Sequence, residues 1–256
     1  MKKWVLITGA SQGIGYEFTK LFAADGYQLV LVARDQVRLV QIADELGARH
    51  RVTVKVLAKD LSLPAAAQEI FDELQREQIP ISILVNNAGF GFQGAFAHVE
   101  AQRHLDLIQV NVTSLVHLTH LFLKPMLDRH EGRVLNVASV AAFMPGPFMA
   151  MYYASKAFVY SFSNALANEL AGSGVTVTAL CPGLTRSQFH ARAGASRPDN
   201  FLMMEADEVA RIGYRALMAG KPAVISGWTN KLTVFISKII PTRLMMHMLK
   251  KVNRTP

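Results

Sequence analysis

The sequence predicts an α/β fold built on a doubly wound parallel sheet, and three observations lead to this class. Short apolar runs rich in Val, Ile and Leu recur along the 256 residues, and segments of helical periodicity separate them. Strands that are apolar along their whole length need cover on both faces, which helices crossing between parallel strands provide. A glycine-rich stretch follows the first apolar run, where such folds make their first ligand-binding turn.

We predict about seven strands with helices on both faces of the sheet. The strands are expected at residues 4–8, 28–33, 52–58, 81–86, 133–138, 175–181 and 223–226. The helices are expected at residues 15–24, 36–46, 65–78, 100–127, 152–172 and 206–219. No linker or repeat interrupts this alternation, so one domain is expected over residues 1–227, with ligand sites at the carboxyl ends of the strands.

Composition excludes several classes of protein. Hydrophobic residues make up 51% of the chain, enough for one large core. The single Cys181 rules out an intramolecular disulfide and a cysteine metal cluster, so a reducing, cytoplasmic setting is expected. The eight histidines show no ligand spacing, and we predict no metal site. No apolar run is long enough for a signal peptide, and none approaches the roughly 18 residues of a transmembrane helix.

The first predicted strand runs into Thr8-Gly9-Ala10-Ser11-Gln12-Gly13-Ile14-Gly15 and then directly into a helix. Glycine permits a tight turn and lets backbone N–H groups at the helix N-terminus approach a pyrophosphate closely. Such a stretch is compatible with a plain turn, but its place between the first strand and the first helix favours dinucleotide binding. The candidate contacts are Gly9, Ser11, Gln12, Gly13, Ile14 and Gly15.

The end of the second strand distinguishes the two nicotinamide cofactors. An acidic side chain there accepts hydrogen bonds from the ribose 2′-hydroxyl of NAD, whereas an Arg accommodates the 2′-phosphate of NADP. Ala33 occupies the position expected for the acid, and Arg34 follows it. NADP(H) is therefore favoured over NAD(H). Asp35 is the alternative ribose ligand if the register slips, and it also suits the N-cap of the next helix.

Tyr152 and Lys156 are four positions apart at the start of the fifth predicted helix, so their side chains point the same way. A phenol titrates near pH ~10, and an adjacent ammonium stabilises its phenolate. We therefore expect Lys156 to lower the pKa of Tyr152 and make it a usable acid or base. Tyr153 is the rival, but it lies three positions from Lys156 and is expected to point elsewhere on the helix.

Taken together, these motifs resemble the short-chain dehydrogenase/reductase family, in its compact, single-domain, NADP-preferring branch. The resemblance covers residues 4–227, and it is specific because the motifs occur in order, each at the expected strand end. They are Thr8-Gly9-x-x-x-Gly13-x-Gly15, Asp60-Leu61, Asn86-Asn87-Ala88-Gly89, Asn111, Ser139, Tyr152-x-x-x-Lys156 and Pro182-Gly183.

The resemblance implies a Rossmann fold and a role for each motif. Asp60 and Leu61 would lie near the adenine, Asn87, Ala88 and Gly89 along the cofactor, and Pro182, Gly183, Leu184 and Thr185 around the nicotinamide. Lys156 would hold the nicotinamide ribose hydroxyls, with Tyr152 beside it, and Asn111 would hold a water that links Lys156 to solvent. Gln12 departs from the pattern, because many NADP-preferring relatives have a basic residue there, so Arg34 must supply cofactor selectivity largely alone.

The implied chemistry fits the residue types. Hydride transfer to a carbonyl carbon puts negative charge on the carbonyl oxygen. Ser139 is expected to donate a hydrogen bond to that oxygen, and Tyr152 to donate the proton. The plainer alternatives are that Ser139 only caps a turn and that Asn111 only satisfies backbone groups.

Two segments rich in Phe and Met, residues 143–151 and 189–204, are expected to border the substrate pocket. The second lies where the family carries a mobile substrate lid. They favour a small lipophilic carbonyl/alcohol substrate contacted by Ser139 and Tyr152. The alternative is that these side chains pack against each other or against another subunit.

The chain after Gly227 extends beyond the family core. It is strongly basic, because nine of the Lys and Arg residues that give the chain its net charge of +8 follow Glu208 and no acidic residue does. Two short amphipathic helices, broken at Pro241, are expected to pack on or beside the domain within residues 228–256. Residues 228–251 could contact a membrane surface, cap the pocket or mediate assembly. We predict no nucleic-acid binding, because recognition motifs are missing.

Two functions remain open. The stronger is an NADP(H)-dependent oxidoreductase that interconverts a lipophilic ketone or aldehyde and its alcohol. The weaker is a non-catalytic NADP(H)-binding module that the basic tail recruits to a membrane or partner. A pure binder has no need of Ser139, Tyr152 and Lys156 together, which favours the enzyme. The resemblance also implies a homodimer or homotetramer assembled through the helices at 100–127 and 152–172.

Overall fold

The central sheet of the computed structural model has seven parallel strands in the order β3-β2-β1-β4-β5-β6-β9. The structure describes residues 3–187 and 203–253. The strands are β1 Trp4–Thr8, β2 Gln28–Ala33, β3 Val54–Ala58, β4 Ile81–Asn86, β5 Gly132–Val137, β6 Val175–Cys181 and β9 Ala223–Ile225. Two further short strands, β7 Thr185–Arg186 and β8 Met204–Glu205, pair with each other in parallel.

Helices connect the strands and cover both faces of the sheet. They are α1 Gly13–Ala24, α2 Gln36–His50, α3 Ala66–Arg76, α4 Ala101–Ile108, α5 Ser114–Asp128, α6 Ala150–Glu169, α7 Ala206–Met218, α8 Trp228–Ile239 and α9 Thr242–Asn253. Short 3₁₀ turns lie at Phe96–His98 and Val140–Phe143, and a π-helical segment lies at Gln109–Thr113.

The five inner strands, β1, β2, β4, β5 and β6, bury side chains on both faces, as the apolar runs predicted, whereas the edge strands β3 and β9 are only partly buried. Along β1, Val5 and Ile7 belong to the apolar layer that also holds Phe18 and Phe22 of α1. Leu6 points to the opposite layer, which holds side chains of α3 and α5 such as Ile70, Leu74, Leu118 and Phe122. Complete burial of one such side chain is worth about 1.5–3 kcal/mol, so the two layers dominate the stability of the fold.

The strand order reverses between β1 and β4. From β1 the chain proceeds outward to β2 and β3, and it then returns to the other side of β1 to form β4. Connections leave the sheet in opposite directions at this point, which opens a crevice at the carboxyl ends of the strands. The predicted fold class, a parallel seven-stranded sheet between helices, is confirmed.

The predicted long helix at residues 100–127 is divided in three. The π-helical segment Gln109–Thr113 separates α4 from α5 and turns Asn111 toward the interior. The third strand starts at Val54 rather than at residue 52, because Arg51 ends α2 in a left-handed conformation with φ of 56°. The two C-terminal helices occur on either side of Pro241 as predicted. The division at residue 227 stays a prediction.

Candidate active site

A cleft of about 1120 Å³ opens at the carboxyl ends of the strands, at the point where the strand order reverses. The residues predicted to form the site line this cleft, except for Gly15 and Asn111, which are buried behind its wall. The lining includes Gly9, Ser11, Gln12, Gly13, Ile14, Arg34, Asp60, Leu61, Asn87, Ala88, Gly89, Ser139, Tyr152, Lys156, Pro182, Gly183, Leu184 and Thr185.

The turn after β1 is held against the end of β4 by hydrogen bonds. The Thr8 hydroxyl accepts hydrogen bonds from the backbone N–H groups of Asn87 and Ala88, both at 3.0 Å. The Asn87 amide donates to the carbonyl oxygens of Thr8 at 2.9 Å and Gly9 at 3.2 Å. These bonds join the first and fourth strand ends into one rigid floor.

Glycine is required in this turn for space as well as for conformation. Gly9 and Gly13 have φ of 66° and 54°, which disfavours side chains. A Cβ added at Gly15 would lie 2.2 Å from the carbonyl oxygen of Gly9 and 2.4 Å from Nδ2 of Asn87. The first turn of α1 has no side-chain cap on Gln12 and no acidic residue. Neither a side-chain cap nor an acidic residue therefore competes for its N–H groups, which can bind an anion as other helix N-termini do.

Arg34 and Asp60 stand together at the ends of β2 and β3. Arg34 Nη1 lies 3.9 Å from Asp60 Oδ2, and the Arg34 side chain is 71% exposed, which leaves its guanidinium accessible from the cleft. Asp60 also accepts hydrogen bonds from the backbone and the hydroxyl of Ser62. Asp35 caps α2, because its carboxylate accepts a hydrogen bond from the N–H of Arg38 at 3.0 Å.

Ser139 and Tyr152 meet at the other end of the cleft. Ser139 follows β5 and caps the 3₁₀ turn by accepting a hydrogen bond from Ala141 N at 3.1 Å. Its hydroxyl also forms a hydrogen bond with the Tyr152 side chain. Capping and contact with Tyr152 are thus both present. Tyr153 also lines the cleft, with its ring packed against Gly146, so the expectation that it points elsewhere holds only in part.

The protonation of Tyr152 and Lys156 is set first by burial. Burial raises the pKa of the Tyr152 hydroxyl to about 12, and the Ser139 hydrogen bond opposes part of that rise. The lowering of this pKa by Lys156 that the sequence predicted is therefore not found in the free protein, where burial dominates. Burial also lowers the pKa of the Lys156 ammonium to about 8. The Lys156 Nζ donates to the carbonyl oxygen of Val137 at 2.8 Å and lies 5.9 Å from the Tyr152 ring centroid.

Asn111 is fixed by three hydrogen bonds behind the cleft. Its Oδ1 accepts from Phe90 N at 3.0 Å, and its Nδ2 donates to Phe90 O at 2.9 Å and to the Ser155 hydroxyl at 3.1 Å. A Cβ added at Gly89 would lie 3.1 Å from Asn111 Oδ1 and 3.4 Å from Lys156 Nζ. The π-helical turn therefore brings Asn111 to the same small space as the lysine.

The C-terminal helices contribute residues that the sequence analysis did not identify. Thr229, Asn230 and Thr233 of α8 and Leu249 of α9 line the cleft. Asn230 is buried, and a Cβ added at Gly183 would lie 2.0 Å from its Oδ1, so α8 packs directly on the Pro182-Gly183 loop. The sequence analysis left open that residues 228–251 cap the pocket, but it named none of these side chains. Gly227, with φ of 79°, directly precedes α8.

Met144 and Met149 of the predicted substrate-side segment 143–151 line the cleft next to Tyr152. Most of the second predicted segment, residues 189–204, lies outside the described residues, because the structure does not describe residues 188–202. Within residues 3–187 and 203–253 no group of three or more His, Cys, Asp or Glu side chains is arranged to hold a metal ion.

The cleft fits a dinucleotide. Gly9, Gly13 and Gly15 form a cradle that a Cβ at position 9 or 15 would fill. Because it is open, a pyrophosphate can reach the N–H groups of α1. Arg34 supplies positive charge beyond it, and Ser139, Tyr152 and Lys156 stand at the opposite end. The residues that line the cleft are thus suited to an elongated anionic cofactor.

Comparisons with known proteins agree with this geometry. A model of the short chain dehydrogenase family matches residues 3–198. The very-long-chain 3-oxoacyl-CoA reductase of Anas platyrhynchos is 29% identical over 260 residues, which are 98% of this chain and 80% of that protein. Several other curated relatives are aligned over only 52% to 61% of their own length.

Two solved structures are similar over nearly the whole chain. A short-chain dehydrogenase from Sphingobium yanoikuyae in complex with NADPH has a TM-score of 0.83 and 34% identity, covering 95% of both chains. The bulky-bulky ketone specific alcohol dehydrogenase from Comamonas testosteroni has a TM-score of 0.79 and 31% identity, covering 93% of both. Together with the arrangement of Ser139, Tyr152 and Lys156, these matches show that the chain belongs to the short-chain dehydrogenase family of oxidoreductases.

Proposed function

We propose that the protein is an NADP(H)-dependent oxidoreductase that interconverts a lipophilic ketone or aldehyde and the corresponding alcohol. The observation that carries the proposal is the hydrogen-bonded pair of Ser139 and Tyr152 hydroxyls. This pair faces a cleft whose nearby wall contains apolar side chains such as Met144, Met149, Leu184 and Leu249. Two hydroxyls that converge in a partly apolar pocket are suited to bind a carbonyl oxygen.

The proton chemistry follows from these two hydroxyls. When bound, the reduced nicotinamide supplies a hydride to the carbonyl carbon. Ser139 donates a hydrogen bond to the carbonyl oxygen as negative charge develops there. Tyr152 transfers its phenolic proton to the same oxygen, which gives the alcohol. In the oxidative direction Tyr152 accepts the alcohol proton instead.

Lys156 provides the positive charge beside the acid. Its ammonium is held by the carbonyl oxygen of Val137, and it would hold the ribose hydroxyls of the cofactor. A phenolate formed at Tyr152 would be stabilised by this charge and by the oxidised nicotinamide ring. Asn111 lies beside Lys156 across Gly89, which supports a role in holding a water that returns a proton to this group.

Preference for NADP(H) is proposed from Arg34. Its guanidinium is exposed at the end of β2, whereas Asp35 is engaged as the N-cap of α2 and the methyl side chain of Ala33 cannot bind a ribose hydroxyl. The complex of the Sphingobium yanoikuyae protein with NADPH supports the same choice. The predicted contacts at Asp60, Leu61, Asn87, Ala88, Gly89, Pro182, Gly183 and Thr185 belong to this proposal.

The substrate class is proposed from the apolar wall and from two relatives. The duck relative is named for very-long-chain 3-oxoacyl-CoA and the Comamonas testosteroni enzyme for bulky ketones. Both names describe large carbonyl compounds, which extends the expected small lipophilic substrate to larger ones. The methionines that line the cleft support this extension, because methionine adapts to ligands of different shape.

We also propose a cytoplasmic setting, a homodimer or homotetramer, and contact with a membrane surface through residues 228–251. Among the residues that the structure describes, no helix is long and apolar enough to cross a membrane. Contact at the surface is therefore the form of membrane association that α8 and α9 would support.

The test is NADPH and NADH consumption with a series of ketones of increasing alkyl length. We expect NADPH-dependent turnover whose kcat/KM rises with chain length, because each added methylene is buried against the apolar wall, worth about 0.8 kcal/mol. Turnover that favours short, polar carbonyls would contradict the substrate class. Tight NADPH binding without turnover of any carbonyl or alcohol would favour the alternative, a non-catalytic NADP(H)-binding module recruited by its basic tail.

A further inference from the structure

The C-terminal helices expose more large apolar side chains than the rest of the described residues do. Among the described residues, fourteen large hydrophobic side chains are exposed, and eight of them lie in α8 and α9. These eight are Trp228, Leu232, Phe235, Ile236, Ile239, Leu244, Met248 and Val252. Such clustering within a short stretch is typical of an interaction surface rather than of scattered surface residues.

In α8 the exposed apolar residues form a continuous stripe. Trp228, Leu232, Phe235 and Ile239 recur at intervals of four, three and four residues, so they share one face of the helix. The buried residues Asn230 and Val234 lie on the opposite face. The helix is thus covered by protein on one side and apolar on the other, where an ordinary surface helix would be polar. We call this outward face the α8 stripe.

In α9 the pattern is that of an amphipathic helix. Met245, Leu249 and Asn253 face the protein, and Asn253 donates a hydrogen bond to the carbonyl oxygen of Pro147. Leu244, Met248 and Val252 are exposed and occupy an adjacent face. Both helices are therefore anchored to the domain by one face and present apolar side chains on another.

The charge on these helices identifies the partner. Lys231, Lys238, Arg243, Lys250 and Lys251 are all exposed, and the sequence contains no acidic residue after Glu208. A second copy of the same surface would bring two clusters of positive charge together, which opposes self-association. An anionic lipid surface complements both features, because acyl chains accept the apolar stripe and headgroups attract the lysines.

We propose that α8 and α9 dock the protein on anionic membranes, with the α8 stripe inserted at the interface. Trp228 at the end of the stripe has the amphipathic ring that favours this region of a bilayer. The remaining faces of the same helices line the cleft through Thr229, Thr233 and Leu249. Docking therefore brings the mouth of the cleft beside the acyl chains, where a lipophilic carbonyl compound is concentrated. This last step rests on the proposed function, whereas the docking itself does not.

The test is co-flotation of the full-length protein with vesicles of phosphatidylcholine alone or mixed with phosphatidylglycerol. We expect binding to the mixed vesicles only, weakened by added salt. Trp228→Ser/Phe235→Ser should reduce binding more than about tenfold through lost apolar burial. The matched control is Val37→Ser/Leu63→Ser, because Val37 and Leu63 are exposed by 71% and 60%, close to the 74% and 61% of Trp228 and Phe235.

A second pair of variants isolates the charge. Lys231→Gln/Lys238→Gln should weaken binding to the mixed vesicles about tenfold or more, since each basic residue near an anionic surface contributes on the order of 1 kcal/mol. Arg49→Gln/Lys124→Gln has the same net charge and should bind like the wild type.

Three outcomes would overturn the proposal. They are failure of the wild type to bind mixed vesicles, equal binding by the stripe variant, and loss of self-association in the stripe variant, which would assign the stripe to a subunit contact. Carbonyl turnover with NADPH, measured on the same samples, separates docking from catalysis. Vesicle binding without carbonyl turnover would leave docking intact and reject the proposed function, and turnover without vesicle binding would do the reverse.

Discussion

The two sides of the cleft are built from different parts of the chain. Around the turns after β1 and β4, backbone groups, glycines and the Asn87 side chain form the wall, and they leave no room for a methyl group added at Gly9 or Gly15. On the side of β5, β6 and α8, side chains form it, among them Ser139, Tyr152 and Asn230. The shape of the backbone side depends on glycines that have no side chain. The chemistry of the other side depends on the positions of a few polar side chains among apolar ones.

This difference predicts different responses to substitution. The glycine side should fail abruptly when a methyl group is added, because no side chain there can move away. The side-chain wall should tolerate changes in bulk but respond to changes in charge, since burial already shifts the pKa values of Tyr152 and Lys156.

Gly15→Ala should give the largest effect on NADPH affinity. Its methyl group would overlap the carbonyl oxygen of Gly9 at 2.2 Å, so the turn must open, and we expect NADPH affinity to fall by about 100-fold, or 2.7 kcal/mol. Gly47→Ala is the matched control in α2, because its nearest neighbour would be Val52 O at 3.5 Å. It should leave affinity unchanged and stabilise the protein by about 0.5–1 kcal/mol. Fluorescence titration measures the affinity. Equal NADPH affinities for the two variants would refute the claim that the glycine turn binds the cofactor.

Lys156→Met should abolish activity and yet stabilise the protein at pH 7. Burial lowers the Lys156 pKa from 10.5 to about 8, so the buried charge costs stability below pH 8, less between pH 8 and 10.5, and nothing above. The variant also loses the hydrogen bond from Lys156 Nζ to Val137 O. With this loss included, the free energy of unfolding should rise by about 1–3 kcal/mol at pH 7, and the rise should vanish near pH 10.5. Urea unfolding at both pH values measures this.

The control for this variant is Lys124→Met, because the Lys124 side chain is 81% exposed. It should change the free energy of unfolding by less than about 0.5 kcal/mol at either pH. A Lys156→Met variant less stable than the wild type at pH 7 would show that the ammonium is a net stabilising group.

Arg34→Ala should weaken NADPH binding by about 10- to 100-fold through loss of a charge-assisted contact. NADH affinity should change little. Arg38→Ala is the control, since Arg38 stacks over Tyr16 and does not line the cleft. Fluorescence titration with both cofactors measures this preference in the wild type and in both variants. Tighter binding of NADH than of NADPH by the wild type would move the ribose contact to Asp35.

Asn230→Ala should give the smallest effect of the series. Asn230 donates to the carbonyl oxygen of Ser226 at 2.6 Å and packs against Gly183, so its loss should cost about 1–2 kcal/mol of stability and a few-fold in NADPH affinity. Asn164 makes the corresponding bond to Tyr160 O in α6, away from the cleft. Asn164→Ala should lower stability without changing NADPH affinity. Equal NADPH affinities for both variants would show that Asn230 does not contribute to cofactor binding.

The backbone side of the site was predictable from sequence for a physical reason. Glycine tolerates both the positive φ of Gly9 and the close approach of the Gly9 carbonyl oxygen to Gly15. The spacing of the glycines in the sequence therefore predicts the geometry of the turn. The strands were predictable because burial on both faces requires unbroken apolar runs. Apart from the later start of β3, the strand boundaries differ little from those expected.

The other side was harder to predict because it depends on tertiary packing. The π-helical turn at Asn111 leaves no periodic signature, and the contact between Asn230 and Gly183 joins residues far apart in the chain. The pKa of Tyr152 was misjudged for the same reason. The spacing of Tyr152 and Lys156 indicates their proximity but not how deeply the surrounding protein buries them.

The most direct test of the account is turnover of a lipophilic ketone by Tyr152→Phe with NADPH affinity measured in parallel. We expect kcat/KM to fall by about 100-fold or more through loss of the general acid, with NADPH affinity within about twofold of the wild type. Tyr160→Phe, on the same helix but outside the cleft, should retain activity. Undiminished turnover by Tyr152→Phe, or loss of turnover in Tyr153→Phe instead, would contradict the assignment of Tyr152 as the proton donor.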